Sequence, residues 1–303
     1  MIGAALAIVG ALAVGARAVY PRVLEYRASR RRPPRADGVI AGAASIARHR
    51  ADAPGVLLLH GGGDTPQVVG DLAEHLYSAG FSVRAPLLPG HGRALSALMD
   101  VSAADLHANV EKEYSAMQAT HDWVALIGLS MGGALAVRLA AAREVPALVL
   151  LAPYLDMPAP IRRLAAAAGL WGWALPYFPS RGDQSIRDQQ AAAQTLGHGL
   201  LTPALLRALY DITRAVDEAL PKVSTPTLFI QSREDNRISV ESAERAFARL
   251  GSPEKRLVMT AGAGHVITVD YGRERVMELC AEWLHAHHVN PSAPGPRGSR
   301  QDP

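Results

Sequence analysis

One short junction constrains this chain more than any other. Trp123–Leu129 is an apolar run of strand length, and a helical pattern runs from Met131 to Arg143. Only Gly128-Leu129-Ser130-Met131-Gly132 makes the change of direction. A serine on so tight a turn must project its hydroxyl above the sheet edge. The flanking glycines are needed because a side chain at either position would collide with neighbouring backbone. A serine hydroxyl is a poor nucleophile at neutral pH, so it needs a base, and the base needs an orienting carboxylate.

The rest of the chain supplies a sheet for that turn. Gly55–His60, Phe81–Leu87, Val145–Ala152, Thr225–Gln231 and Arg256–Thr260 are further apolar runs of strand length. Helical patterns separate them: one opened by Thr65-Pro66 and stopped at Gly80, then Ala104–Thr120, Ser239–Leu250 and Asp270–His288. Strands alternating with helices predict an α/β fold, a mostly parallel central sheet flanked by helices on both faces. Residues 153–221 break the alternation, with helical segments and no convincing strand. This stretch reads as a small helical cap over the sheet, and it groups Trp171, Trp173, Tyr177 and Phe178.

In this architecture the partners of Ser130 belong on loops after later strands, where open parallel sheets place their sites. The loop Ser232-Arg233-Glu234-Asp235-Asn236 offers the acid, Asp235 ahead of Glu234, and Ala261-Gly262-Ala263-Gly264-His265 offers the base, His265. The tetrahedral intermediate also needs donors for its negative charge. The N–H of Met131 is one, and His60-Gly61-Gly62-Gly63 after the first strong strand supplies the second from Gly62. His60 itself reads as a structural loop residue and His91 as a turn residue. His285, His287 and His288 end a helix and do not read as a metal cluster. Cys280 falls on the apolar stripe Val276, Leu279, Cys280, Trp283, Leu284 and reads as core. With one cysteine, no phosphate-binding loop and no dinucleotide fingerprint, the sequence points to no metal and no cofactor.

The charge is uneven. The net +3 over 303 residues hides +5 on residues 1–37 and +1 on the tail, which leaves −3 on the body. The basic balance therefore gives no ground for a nucleic-acid partner. Residues 1–16 hold no charge; extended through Tyr20 they come close to a bilayer span of roughly 30 Å. All the arginines follow this run and none precede it, which favours an uncleaved anchor over residues 1–20 with the body on the cytoplasmic face. Export after cleavage near Ala16-Arg17-Ala18 and a mis-assigned start codon are the alternatives. Residues 21–37 then read as a basic juxtamembrane linker, 38–288 as the globular domain and 289–303 as a disordered tail.

Four segments in this order, LLLHGGGDTPQVVGDLAEHLYSAGFSVRAPLLPGHG, GLSMGG, IQSREDNRISV and GHVITVDY, together resemble the bacterial monoacylglycerol lipase and carboxylesterase group of the α/β-hydrolases. The resemblance runs from about Gly55 to His288 and is weakest in the cap. It implies Ser130 as nucleophile, Asp235 as acid, His265 as base, and Gly62 with Met131 as oxyanion hole. It departs at Gly62, where the family often carries a bulky residue, commonly Phe. The expectation is a serine carboxylester hydrolase whose cap aromatics Trp171, Trp173, Tyr177 and Phe178 line an acyl pocket. Acyl transfer or cofactor-free perhydrolysis on the same machinery, or a non-catalytic membrane-tethered binding protein, are the alternatives.

Overall fold

The structure, a computed structural model, describes residues 19–180 and 185–288. Apart from its last two residues, the expected anchor at 1–20 lies outside these, as does the tail at 289–303. Among the described residues no helix is long and apolar enough to cross a membrane.

The strands are β1 (Ile46–Arg48), β2 (Gly55–Leu59), β3 (Ser82–Ala85), β4 (Val124–Leu129), β5 (Leu148–Leu151), β6 (Phe178–Pro179), β7 (Leu200–Leu201), β8 (Thr227–Ser232) and β9 (Lys255–Thr260). The helices are α1 (residues 19–31), α2 (Gly70–Ser78), α3 (Ala103–Gln118), α4 (Met131–Ala140), α5 (Ala159–Ala166), α6 (Ala168–Trp171), α7 (Gln189–Gln194), α8 (Pro203–Ala219), α9 (Val240–Arg249) and α10 (Arg273–His287). Seven strands form one sheet in the order β1-β3-β2-β4-β5-β8-β9. Only β1 runs antiparallel, pairing Ile46 with Ala85. The expected mostly parallel sheet with flanking helices is present.

The apolar runs explain why this sheet is covered on both sides. Every residue of β2, β4, β5 and β8 is buried. Successive strand side chains point to opposite faces, and the core divides accordingly. Leu57, Leu59, Leu126, Leu148, Leu150 and Phe229 join one cluster with α3, α4 and α8. Val56, Leu58, Ile127, Val149, Leu151 and Ile230 join the other with α2 and α10. Cys280 is fully buried in the second, as the helical stripe predicts.

The chain lays down β2, crosses to β3 on one side, then returns to put β4 on the other. The loops leaving β2 and β4 therefore diverge at their carboxyl ends and open a crevice. That crevice positions the site.

Three readings change. The cap is not free of strands, because β6 and β7 pair antiparallel, Phe178 with Leu201. The β1 edge strand goes unnoticed in the sequence. The stretch at 21–37, expected to be a linker, is helical as far as residue 31 and docked on the body. Leu24 and Ala28 pack against the first core cluster. The Glu25 carboxylate accepts hydrogen bonds from the N–H groups of Leu95 and Ser96, each at 3.0 Å. Arg32 donates to the carbonyls of Thr195 and Gly197 in the cap.

Candidate active site

The turn after β4 is as tight as its glycines suggest. Ser130 sits at φ 52°, ψ −117°, a conformation that costs an ordinary residue on the order of 1–3 kcal/mol. Backbone bonds hold it there: its N–H donates to Leu151 (3.0 Å), and its carbonyl accepts from Ala134 (3.2 Å) and Tyr154 (3.0 Å). A Cβ at Gly128 would lie 2.4 Å from the Gly132 carbonyl oxygen, and one at Gly132 would lie 2.3 Å from the Leu59 oxygen. No side chain fits at either place.

The acid and base loops arrive from β8 and β9. His265 Nε2 lies 2.8 Å from Ser130 Oγ, and His265 Nδ1 lies 2.8 Å from Asp235 Oδ2. The Asp235 side chain is fully buried, and both its oxygens are engaged. Oδ1 accepts from the N–H groups of Arg237 (2.7 Å) and Ile238 (3.0 Å), and Oδ2 also accepts from Gln231 Nε2 (2.9 Å). Burial pushes its carboxyl pKa up, but the hydrogen bond and charge of His265, with the two backbone donors, outweigh that and hold it below the usual carboxylate range. Glu234 turns elsewhere: its Oε2 accepts from the N–H of Gly262 at 2.9 Å and ties the two loops together. The geometry thus pairs Asp235 with His265 and leaves Glu234 outside the chain of contacts.

The imidazole is steered from behind by residues the sequence did not single out. Buried Asp270 accepts from the N–H groups of Gly264 (2.6 Å), Arg187 (2.8 Å) and Asp188 (2.9 Å). The His265 N–H donates to the Ser185 carbonyl at 2.8 Å. A Cβ at Gly264 would lie 2.5 Å from that same Ser185 oxygen, so the residue before the histidine must be glycine. The only sequence hint of Asp270 is an acid five residues beyond His265, at the start of a helix.

The N–H of Met131, at the first helical position of α4, has no partner within the helix. Gly62 lies against the Met131 side chain, since a Cβ there would fall 3.3 Å from Met131 Sδ and 3.6 Å from Leu209 Cδ2. A bulkier residue at this position would therefore lie along the wall that Leu209 of α8 forms. His60 fixes the loop from below. Its Nε2 accepts from the Leu88 N–H (3.1 Å), so Nδ1 carries the proton and donates to the Gly61 carbonyl (2.9 Å).

The cap aromatics separate into three roles. Tyr177 is core, 2% exposed, and Trp173 points to solvent, 68% exposed. Neither position suits the acyl-pocket lining expected of it. Trp171 meets Phe178 edge-on at 5.7 Å and donates to the Leu164 carbonyl. That pair clusters with Met157, Leu206 and Leu209, and Leu209 links it to Gly62. Residue spacing alone does not separate these four, because it carries no information on how the cap folds back.

Three histidines give a pH dependence of stability. Burial, with the neighbouring ring of His91, lowers His60 to about 3, and burial lowers His91 to about 4. The unfolded chain, with histidines near 6.5, therefore takes up protons first as the pH falls. Each group removes up to about 1.4 kcal/mol of stability per pH unit between its two values. Asp64 works in the opposite sense over a narrower window, because burial raises its carboxyl to about 6 and the folded state then holds the proton. Burial and Arg138 lower His107 to about 4 as well, and three histidines against one carboxyl predict a Tm that falls as the pH drops from 6.5 to 4.5. A flat or rising Tm over that range contradicts the assignment.

This sheet with its crevice and serine turn defines an α/β-hydrolase, of the serine hydrolase class. The family comparison is specific: residues 51–271 match the model of the Hydrolase_4 family, described as "Serine aminopeptidase, S33", and the chain belongs to that family. A thermostable monoacylglycerol lipase of Bacillus sp. (strain H-257) is 28% identical over 235 residues, 77% of this chain and 91% of its own length. A carboxylesterase of Bacillus subtilis (strain 168) is 27% identical over 236 residues, 76% of this chain and 91% of its own. Among solved structures, one from LipS and LipT, two metagenome-derived lipolytic enzymes, superposes with a TM-score of 0.76 at 28% identity. That match covers 82% of this chain and all of the other. The monoacylglycerol lipase of Paleococcus ferrophilus shares the fold, with a TM-score of 0.70 at 23% identity, covering 80% and 98%.

Proposed function

We propose that this chain is a serine carboxylester hydrolase working through Ser130, His265 and Asp235. The observation that carries the reading is the imidazole of His265, which bridges Ser130 Oγ and Asp235 Oδ2 at 2.8 Å on each side. Ser130 Oγ attacks the ester carbonyl and passes its proton to Nε2, while Asp235 stabilises the resulting imidazolium. The N–H groups of Met131 and Gly62 receive the oxyanion, a contribution of about 3–4 kcal/mol each. Collapse of the intermediate expels the alcohol, which takes the proton from Nε2. Water then attacks the acyl-enzyme by the same proton route and releases the carboxylic acid. Ser130 is only partly buried, so water reaches the acyl-enzyme, and this favours hydrolysis over acyl transfer.

The names of the two bacilli relatives support ester substrates, monoacylglycerols among them. The apolar cluster of Trp171, Phe178, Leu206 and Leu209 supports an acyl-binding side under the cap. The uncharged run before the arginines supports attachment through residues 1–20, with the domain on the cytoplasmic face. Chromogenic esters of graded chain length and monoacylglycerols, assayed in washed membranes and in the soluble fraction, test the reading together. Cleavage of monoacylglycerols in the membrane fraction is expected. Fast cleavage of short water-soluble esters alone contradicts the lipid substrate, and full-length protein in the soluble fraction contradicts the anchor.

A further inference from the structure

The loop after β2 carries three consecutive glycines and then an acid, Gly61-Gly62-Gly63-Asp64. Gly63 turns the chain at φ +82°, and the Asp64 side chain folds back over the loop. A Cβ at Gly61 would fall 2.7 Å from Asp64 Oδ2 and 3.4 Å from Ser130 Cβ, so the carboxyl and the nucleophile's side chain flank the same glycine. Its other oxygen faces the cap, since a Cβ at Gly197 would fall 3.7 Å from Oδ1. The carboxyl occupies the room that a side chain at Gly61 would need, so glycine there lets it sit close to the loop backbone. Among the described residues neither oxygen of that carboxyl accepts a hydrogen bond, whereas Asp235 and Asp270 are fully engaged.

A partly buried carboxylate without donors is costly, and a ligand group that supplies one removes the cost. We propose that Asp64 is a specificity-determining residue of this site, and that its carboxylate receives a hydrogen-bond donor, hydroxyl or ammonium, carried by the substrate next to the scissile ester. The proposal rests on Ser130 being the nucleophile. Burial raises the Asp64 carboxyl, opposed by the neighbouring His265 and Arg237, only to about 6, so near neutral pH it is largely ionised. An anion here repels a substrate carboxylate. It also opposes the charge that develops on the oxyanion, so a donor seated on it aids the transition state as well as binding. Discrimination is therefore expected in kcat as well as in KM.

The test uses four butyrate esters that differ only at the far end of the alcohol: propyl, 2-hydroxyethyl, 2-(dimethylammonio)ethyl and 2-carboxyethyl. Fluorophosphonate titration counts intact sites in each preparation. The wild type is expected to prefer the hydroxyl and ammonium esters to propyl by about tenfold in kcat/KM, the worth of one hydrogen bond to a charged group. The carboxylate ester is expected to rank last. Asp64→Asn should lose the ammonium preference and the rejection of the carboxylate, and Asp64→Gly should also lose the hydroxyl preference. A larger ratio for the ammonium than for the hydroxyl identifies a cationic substrate, and the reverse order a polyol. A wild type that cleaves all four esters alike, or ratios unchanged in both variants, overturns the proposal while leaving the hydrolase reading intact. A wild type that cleaves none, yet takes the fluorophosphonate, overturns the ester reading and this proposal with it.

Discussion

Ser130→Ala is expected to lower kcat/KM on any cleaved ester by about a millionfold, and His265→Ala by nearly as much, because a linked nucleophile and base fail together. The double variant should be little worse than either single one. The reason lies in the 2.8 Å contact between Oγ and Nε2: without the base the hydroxyl stays protonated, and without the hydroxyl the base has nothing to activate. Neither substitution disturbs the fold by this account. The Ser130 side chain contributes no cap bond to α4, and its strained backbone is held by its own N–H and carbonyl. Unchanged thermal unfolding with activity gone is the expected pair of results. A loss of only a few fold would mean that another group performs the attack.

Asp235→Asn is expected to cost about 10⁴-fold, with Glu234→Gln within a few fold of wild type. Both Asp235 oxygens act only as acceptors, one toward His265 Nδ1 and Gln231, the other toward the N–H groups of Arg237 and Ile238. An asparagine must turn its NH2 toward one of those pairs, setting donor against donor. Turned to the imidazole, it would hold the wrong tautomer, with the proton on Nε2 and no lone pair there to accept the Ser130 proton. Turned to the backbone, it breaks the loop that aims the group. The Glu234→Gln side chain, by contrast, keeps an oxygen for the Gly262 N–H, so the link between the two loops survives. Activity retained by Asp235→Asn but lost in Glu234→Gln would reverse the assignment of the acid.

How much of this was legible beforehand depended on whether the cause was local. The β2, β4, β5 and β8 runs are visible because a strand buried on both faces must be apolar throughout, and the turn at Ser130 because its glycines answer to backbone only a few residues away. The short β1 strand has no such mark. It is three residues long at the sheet edge, mostly exposed, and its partner lies nearly forty residues on. Helix α1 was hidden for a related reason. Its Arg-rich sequence resembles a linker, and the contacts that dock it reach from Glu25 to Leu95 and from Arg32 to Gly197. At the site, Ser130, Asp235 and His265 follow from strand order. Asp270 and Asp64 do not, because each sits against loop backbone that only the folded chain assembles.

The proposed chemistry turns on a single reactive hydroxyl. Incubation of the full-length protein with a fluorophosphonate, followed by peptide mass mapping, is expected to find one phosphonyl group on Ser130, absent from Ser130→Ala and strongly slowed in His265→Ala. An adduct on another residue, or undiminished labelling of Ser130→Ala, contradicts it.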